Sequence, residues 1–307
     1  MYEVSIIQHI QSVRNAFFDG LFSFVTLIGD EMFFILVAVA LFWCVDKRFG
    51  YKLINVYLLG CACIEGIKTL VARPRPYTYD GIVSVGEKTG GYSFPSGHSH
   101  SIANLSTQLS NRYRRIPVYI VMGAVSLLVA FSRLYLGQHF LSDVIVGLTF
   151  GVGFALLFSM LFELLRDKEE YMVLGVFPLC VVILLILVFT GKANGAGGVM
   201  DVLGGYSAVS LGYFLEKRYV KVEVKARWYV QIIKIILGVA IVLGIKEGFK
   251  LFLPKEQAVL YNFVRYFVTA LAATAGVPAL FKLFRLYGDF GRNTPPEAGK
   301  NAEEDSI

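Results

Sequence analysis

The sequence predicts an all-α fold, a polytopic helical bundle that is integral to a membrane. The chain of 307 residues is 56% hydrophobic, with a mean hydropathy of +0.61. It contains several apolar runs of the roughly 20 residues that a helix needs to cross a bilayer. Short basic clusters separate these runs. A soluble domain has no use for so many apolar runs when only 17% of its residues are charged.

The elements can be assigned in order along the chain. Residues 2–20 have the amphipathic pattern of a helix that is too polar to span and lies along the membrane surface. No signal-peptide pattern is visible there, so we expect the chain to keep its first residues. Beyond it, apolar runs predict nine spanning segments, of which the third and seventh are short: residues 22–44, 52–70, 97–110, 117–135, 140–163, 171–191, 200–216, 229–250 and 259–283.

Every second loop between these segments is basic. By the positive-inside rule, the basic loops and the C-terminal tail face the cytoplasm, whereas loops 71–96 and 134–139 lie on the extracytoplasmic side. The formal net charge of +6 therefore reflects topology, and we expect no nucleic-acid partner. The four cysteines lie inside apolar segments and have neither disulfide nor zinc spacing: Cys44, Cys61, Cys63 and Cys180.

A polar stretch stands between the second and third segments. Pro95 and Ser96 precede a helix-like run, so Ser96 is a suitable N-cap, and the free amides of Gly97 and His98 can point at an anion. Gly97 lets a ligand approach the backbone, and His98 can then reach a leaving-group oxygen as a general acid. Taken alone, the same four residues would indicate an ordinary helix cap.

A second polar patch begins the fifth segment. His139 and Asp143 are four residues apart, so on a helix they share one face, and the carboxylate can accept a hydrogen bond from one imidazole nitrogen. That bond would fix the tautomer and aim the other nitrogen outward, as a nucleophile requires. A satisfied polar pair is the alternative interpretation.

Three cations accompany these patches on the same predicted side of the membrane: Lys68, Arg75 and Arg133. A phosphate monoester carries about −1.5 to −2 charges near neutral pH, and phosphoryl transfer is catalysed mainly by positioning and charge stabilisation. Arginine can bind two phosphate oxygens at once, whereas lysine acts as a point charge. A snorkelling side chain is the alternative for Lys68, and for Arg73 we favour a contact with lipid headgroups.

The spacing of these motifs resembles the three-part signature of the type 2 phosphatidic acid phosphatase superfamily. The resemblance covers residues 68–143 directly and 22–163 by helical organisation, and three ordered motifs are far more specific than one. The signature consists of Lys68 with six residues before Arg75-Pro76, then Pro95-Ser96-Gly97-His98, then Ser132-Arg133 with five residues before His139 and three before Asp143.

The resemblance implies a role for each matching residue. His139 would attack phosphorus and form a phosphohistidine, Asp143 would orient it, and His98 would protonate the leaving alkoxide and then activate water. No metal or other cofactor is implied. The residues that would hold the phosphate are Lys68, Arg75, Ser96, Gly97 and Arg133.

Four further polar residues are candidates for supporting roles. We expect Glu65 to pair with Lys68 on its helix face, and Asp30 or Glu31 to reach the cluster or a substrate headgroup. His100 would line the site without acting.

The sequence thus predicts four regions. These are an interfacial helix at 1–21, a phosphatase core at 22–166, a transmembrane extension at 167–285 and a disordered cytoplasmic tail at 286–307. For the extension, a structural or oligomerisation role is favoured, and the oligomeric state is open.

The predicted activity is hydrolysis of a lipid phosphate monoester such as phosphatidic acid, phosphatidylglycerol phosphate or a sphingoid phosphate. A small soluble ester and undecaprenyl diphosphate are alternative substrates. A lipid transporter or scramblase with a phosphate-binding site is an alternative from another class, which the presence of both His98 and His139 disfavours.

Overall fold

The computed structural model describes residues 2–191, 197–252 and 260–288, and within them the secondary structure is helical apart from one isolated bridge. Short 3-10 or π turns join several of the helices. The helices are α1 Tyr2–Gln11, α2 Ala16–Thr26, α3 Glu31–Cys44, α4 Lys47–Val71, α5 Gly97–Tyr113, α6 Ile116–Tyr135, α7 Leu141–Leu164, α8 Val173–Phe189, α9 Gly197–Leu215, α10 Trp228–Phe252, α11 Tyr261–Leu271 and α12 Val277–Leu283.

The N-terminal region differs from the prediction in two places. The expected boundary at residue 21 falls inside α2, and the expected span 22–44 is broken at Asp30. Asp30 has an extended backbone and its carboxylate accepts a hydrogen bond from the amide of Met32 at 2.8 Å, so it starts a new helix. The segments on either side of this break are bent by 47°. The apolar run alone did not reveal the cap within it.

From α3 onward the chain passes back and forth through the bundle, with α11 and α12 forming one pass. Six helices in the described part of the chain are long and apolar enough to cross a membrane, or seven if the bent pair forms one span. The predicted span 22–44 corresponds to the bent pair, and two further predicted spans, α5 and α9, are in neither count. Helix α5 is packed against α4, α6 and α7 and carries buried polar side chains, so its environment is protein and not lipid.

Helix α1 lies across the loops at one end of this bundle. Glu3 accepts a hydrogen bond from the backbone amide of Ser142 at 2.8 Å, at the start of α7. Gln11 donates to the carbonyls of Val83 at 2.8 Å and Tyr135 at 2.9 Å. This short helix therefore connects the loop between α4 and α5 with the loop between α6 and α7.

The C-terminal helices pack directly on the preceding ones. Helix α9 contacts α4, α8 and α11, and the rings of Tyr51 and Tyr213 stack at 3.7 Å. The predicted boundary at 166/167 falls in a 3-10 segment before α8. The predicted tail begins too early, because Leu286 is buried and the amide of Gly288 donates to the carbonyl of Lys225. The rest of that tail, from residue 289, lies outside the described residues.

A glycine contact joins α7 to the start of α5. A Cβ atom at Gly147 would lie 2.6 Å from the carbonyl oxygen of Ser96, whereas one at Gly153, on the same helix, would meet nothing within 4 Å. We therefore expect Gly147→Ala to force α7 away from the Ser96 turn and to cost about 1–3 kcal/mol of stability.

Thermal unfolding in detergent would test this expectation, with Gly153→Ala as the matched control. The control should be neutral or stabilising by about 0.5–1 kcal/mol, because alanine is the better helix former. Equal stability of the two variants would show that the close approach has no energetic weight.

Candidate active site

The three predicted motifs meet at one end of the bundle. The last turns of α4 and α6, the start of α5 and the two intervening loops all lie there, because antiparallel neighbours bring these ends together. His98 and His139 are within electrostatic reach of each other and of the three predicted phosphate-binding cations, Lys68, Arg75 and Arg133. One polar centre is therefore built from residues as far apart in the sequence as Lys68 and His139.

His139 lies in the loop before α7 and is 2% exposed. Its Nδ1 is 2.7 Å from the carbonyl oxygen of Ser93, so Nδ1 carries the proton and Nε2 keeps its lone pair. Nη1 of Arg75 lies 3.3 Å from that Nε2. The imidazole thus presents an unprotonated nitrogen next to a guanidinium, which is the arrangement that attack on an anion requires.

The expected hydrogen bond from His139 to Asp143 is absent. Their closest atoms, Nδ1 and Oδ2, are 3.7 Å apart, which is too long for a hydrogen bond. The helix-face argument fails because α7 begins only at Leu141, so His139 precedes the helix. The carbonyl of Ser93 orients the imidazole in its place.

Asp143 instead ties together the segments around the site. Its Oδ2 accepts a hydrogen bond from the amide of Phe140 at 2.8 Å, and its carbonyl oxygen accepts one from the amide of Ser96 at 2.9 Å. Its Oδ1 accepts one from Nη1 of Arg73 at 2.7 Å. Arg73 also pairs with Glu3 at 2.6 Å. The headgroup contact favoured for Arg73 is therefore wrong: the side chain turns inward and neutralises a fully buried carboxylate.

Arg75 and Arg133 are both buried, at 4% and 3% exposure. Arg75 is held by backbone carbonyls, including those of Gly90 and Gly91. Arg133 donates to the hydroxyl of Thr26 at 2.8 Å, and its Nε has no partner within the described residues. Among those residues no carboxylate lies within 4 Å of either guanidinium. Two buried cations that have no acidic partner among the described residues are suited to bind an anion.

The start of α5 has the predicted cap. The hydroxyl oxygen of Ser96 accepts hydrogen bonds from the amide and the hydroxyl of Ser99, at 3.3 and 3.0 Å. A Cβ atom at Gly97 would lie 3.7 Å from Nζ of Lys68, so the missing side chain leaves the lysine open towards the helix start. Lys68 forms the expected ion pair with Glu65 at 2.6 Å.

Of the remaining predicted residues, His98 and Asp30 lie at the site, whereas Glu31 and His100 lie outside it. Nε2 of His98 lies 3.8 Å from Oδ2 of Asp30, which brings Asp30 to the edge of the site. Glu31 lines a separate cavity. His100 does not line the site, because its ring packs near Tyr57 and against Gly60, deeper along α4. Its position two residues after His98 turns it to another face of α5.

Several residues that shape the site were not identified from sequence. The carbonyl of Ser93 and the hydroxyls of Thr26 and Thr89 touch His139 or Arg133, yet a backbone oxygen or a single threonine carries no recognisable pattern. Arg73 could be recognised in the sequence, because Arg73-Pro74 repeats the pattern of Arg75-Pro76. We expected Arg73, however, to contact lipid headgroups. Among the described residues, no group of three or more His, Cys, Asp and Glu side chains could hold a metal ion.

The environment of His139 predicts that its imidazole stays neutral at an unusually low pH. Burial first, and then the positive charges of Arg133, Arg75 and Lys68, hold the pKa of the imidazole well below its ordinary value of 6.5. The neutral form should persist as the pH falls through 6.5 and be lost only below the lowered pKa.

Diethyl pyrocarbonate reacts with neutral imidazole, so mass spectrometry of the modified His139 peptide across pH 5–8 would measure this titration. The exposed His9 serves as an internal control for the reagent. A modification rate at His139 that halves near pH 6.5 would contradict the expectation.

Comparisons with known proteins identify the family of the chain. The model of the PAP2 superfamily matches residues 49–167, and the model described as the transmembrane extension of PAP2 superfamily phosphatases matches residues 200–289. Together the two matches cover more than half of the chain.

Individual relatives match parts of the chain. The chain is 33% identical over 159 residues to a probable sphingosine-1-phosphate phosphatase of Dictyostelium discoideum, covering 48% of this chain and 39% of that protein. It is 26% identical over 172 residues to phosphatidylglycerophosphatase B of Bacillus subtilis, covering 52% and 78%. It thus spans well under half of the Dictyostelium relative.

A crystal structure of a transmembrane PAP2 type phosphatidylglycerolphosphate phosphatase from Bacillus subtilis aligns with 54% of this chain and 86% of its own, at 25% identity and a TM-score of 0.45. The resemblance inferred from the three motifs is confirmed by the two family matches. This helical, integral membrane chain belongs to the PAP2 superfamily and carries the transmembrane extension of that superfamily's phosphatases.

Proposed function

We propose that the chain hydrolyses the phosphate monoester of a lipid through a phosphohistidine at His139. One observation carries the proposal: a buried imidazole with a free Nε2 lies beside Arg75, and neither Arg75 nor Arg133 has an acidic partner within 4 Å among the described residues. A dianionic phosphate would compensate these charges and bring phosphorus to the nucleophile.

In the first step, the lone pair on Nε2 of His139 attacks phosphorus, and the bond from phosphorus to the lipid oxygen breaks. Lys68, Arg75 and Arg133 stabilise the charge on the equatorial oxygens. His98 donates its proton to the departing alkoxide, which leaves as the lipid alcohol. Burial and the neighbouring charges of Arg133 and Lys68 hold the pKa of His98 below its ordinary value. The negative charges of the bound phosphate and of Asp30, whose Oδ2 lies 3.8 Å from Nε2 of His98, oppose that shift.

In the second step, neutral His98 takes a proton from water, and the oxygen attacks phosphorus. The bond from phosphorus to Nε2 breaks, which returns His139 to its starting form and releases inorganic phosphate. Asp143 acts on both steps through position, because it fixes the loop that carries His139 and the Ser96 turn. The amides at the start of α5 supply further donors to the phosphate.

A lipid substrate is supported by the place of the site. It lies at the ends of spanning helices, where a lipid headgroup can enter while the hydrocarbon tail remains among apolar side chains. The similar proteins are phosphatases named for sphingosine 1-phosphate and for phosphatidylglycerophosphate. These two lipids share the phosphate monoester.

The proposal can be tested by phosphate release from purified protein in detergent with EDTA present. The substrates would be phosphatidic acid, phosphatidylglycerol phosphate, sphingosine 1-phosphate, undecaprenyl diphosphate and glucose 6-phosphate. Release from a lipid monoester, lost in His139→Ala, supports the proposal. Release only from the diphosphate or the sugar would redirect the substrate assignment, and equal release by the variant would overturn the histidine mechanism.

We also propose that the site faces the extracytoplasmic side and that the C-terminus is cytoplasmic. The support is the basic character of the opposite end of the bundle. In intact cells, a membrane-impermeant maleimide should label Lys88→Cys, in the site loop, and leave Arg115→Cys unlabelled, with the parent chain as the background control. The reverse labelling would invert the topology. The residues that make the end opposite the site basic are Lys47, Arg48, Lys52, Arg112, Arg114, Arg166 and Lys217.

A further inference from the structure

A second cavity lies between the core and the transmembrane extension. It has a volume of about 220 Å³ and is lined by side chains of α3 and α4 on one side and of α9, α10 and α11 on the other. Most of its wall is apolar, including Phe34, Leu58, Val202 and Val242. The extension therefore supplies about half of a chamber that the core alone would leave open.

The cavity begins beside the catalytic centre. Glu65 lines it, and the same carboxylate pairs with Lys68 at 2.6 Å. Glu31 also lines it and follows Asp30, whose carboxylate lies 3.8 Å from His98. The phosphate site and the cavity thus share the end of α4 and the start of α3 as walls.

The cavity extends inward from this end. Its lining residues on α4 run from Glu65 down to Ile54, which corresponds to about 16 Å along the axis at 1.5 Å per residue. This depth is about half of the 30 Å hydrocarbon thickness of a bilayer. A chamber that is one leaflet deep, narrow and apolar matches one hydrocarbon chain.

Polar groups are concentrated at the outer mouth. The carboxylates of Glu31, Glu65 and Asp201 lie there with one lysine, Lys246. In the described part of the chain, neither Glu31 nor Asp201 has an ion-pair partner within 4 Å, and Oδ1 of Asp201 is buried without a hydrogen bond. The nearby Arg265 donates to the carbonyl of Lys246 at 3.1 Å.

A further polar group lies along the wall. Thr269 lines the cavity, is 9% exposed, and its buried hydroxyl has no hydrogen-bond partner among the described residues. Burying a hydroxyl without a partner is costly, so an occupant that offers a polar atom would be favoured. The cavity can therefore accept a cation at the carboxylates of its mouth and a hydrogen bond at the hydroxyl of its wall.

We propose that this cavity is a substrate subsite that takes the hydrocarbon chain of a single-chain lipid phosphate and binds its ammonium group among Glu31, Glu65 and Asp201. The inference rests on the proposed function. When a phosphate engages Lys68, it competes with Glu65 for the lysine. An ammonium group separated from the phosphate by a short amino-alcohol linkage restores a cation to that carboxylate. Charge complementarity therefore selects an amino lipid over a neutral one.

The chain-binding part can be tested with a glycine that faces the cavity. Gly205 is buried and lines it, and a Cβ atom there would meet nothing within 4 Å, so the side chain of Gly205→Leu can start without a clash and occupy space in the chamber. Gly175→Leu, on α8, is the matched control because its Cβ position is also open.

We expect Gly205→Leu to lower kcat/KM for octadecyl phosphate by about tenfold and to leave octyl phosphate within about twofold, since about 1.4 kcal/mol corresponds to a factor of ten. Gly175→Leu should change neither substrate. Equal effects of Gly205→Leu on both chain lengths would overturn the chain subsite.

The ammonium part can be tested with sphingosine 1-phosphate and its N-acetyl derivative, which keeps the chain and the phosphate but lacks the positive charge. The parent chain should prefer the free amine, and the isosteric variants Glu31→Gln and Asp201→Asn should each reduce that preference by about tenfold. An unchanged preference in both variants would overturn the ammonium subsite.

The two proposals fail in different ways. Hydrolysis of both lipids at equal rates, lost in His139→Ala, would refute the ammonium subsite and leave the proposed function standing. Hydrolysis that persists in His139→Ala would refute the proposed mechanism itself.

Discussion

Replacement of His139 by alanine is expected to lower the rate of lipid phosphate hydrolysis by about 10³-fold or more, because it removes the only atom that can form the covalent bond to phosphorus in the proposed mechanism. Replacement of His98 by glutamine should cost about 10²–10⁴-fold, the range for a general acid-base group. The measurement is kcat/KM for both variants with one lipid substrate.

The two variants differ in what they should accumulate. With a ³²P-labelled substrate bearing a good leaving group, His98→Gln should still be phosphorylated on His139 but lose its label slowly, because no base activates the water. His139→Ala should take up no label. His9→Gln, on the surface helix α1, is the matched histidine control and should behave like the parent chain. Label retained in His139→Ala would place the nucleophile elsewhere.

Substitution of Arg73 by glutamine is expected to reduce both stability and activity. Arg73 is the ion-pair partner of Asp143, at 2.7 Å, and the carboxylate of Asp143 is fully buried. Removing one partner of a buried pair leaves an uncompensated charge, for which about 3 kcal/mol is a reasonable loss. Activity should fall as well, because Asp143 holds the loop of His139. Denaturant titration in mixed micelles and kcat/KM measure the two effects.

The double variant Arg73→Gln with Asp143→Asn distinguishes charge from contact. Removing the buried carboxylate as well should restore most of the lost stability, whereas activity should remain low because the tie between the loops is not rebuilt. Arg112, which pairs with Asp46 at 2.8 Å with half of its side chain exposed, offers a control. Arg112→Gln should cost less than about 1 kcal/mol. A comparable loss there would show that the position of Arg73 is not special.

Much of the site could be predicted because the three motifs are recognised by residue spacing, which the sequence shows directly. Lys68, Ser96, Gly97 and Arg133 stand at helix ends, and antiparallel helices bring such ends together whatever the details of packing. The pair of His139 and Asp143 was predicted less well. Four-residue spacing implies a shared face only within a helix, and α7 begins after His139. No local pattern announces that boundary.

The pattern Arg73-Pro74-Arg75 shows a second limit. The two arginines have the same local surroundings, so the sequence does not tell which one meets the substrate and which one meets a carboxylate. The structure separates them: Arg75 lies beside His139 and Arg73 beside Asp143. Their partners lie 64 and 70 residues further along the chain, in the loop before α7 and in the first turn of α7, and only tertiary packing brings them together.

The structural or oligomerisation role predicted for the extension rested on patterns within single segments. Asp201 and Thr269 are single polar residues in apolar helices, and each alone looks incidental. They become a candidate subsite only because α9 and α11 pack around a chamber that also contains Glu31 and Glu65. Five helices contribute to this wall, so no periodicity within one of them reveals it.

The crossing of the two site loops by α1 has a practical consequence for handling the protein. Glu3 and Gln11 connect segments that bear Arg73, Ser142 and Tyr135, although α1 is no part of the spanning bundle. Detergents that strip peripheral helices would loosen the loops of the proposed active site while leaving the transmembrane helices folded. Circular dichroism and gel filtration would then report an intact sample of an inactive enzyme, so extraction conditions are better chosen by turnover than by monodispersity.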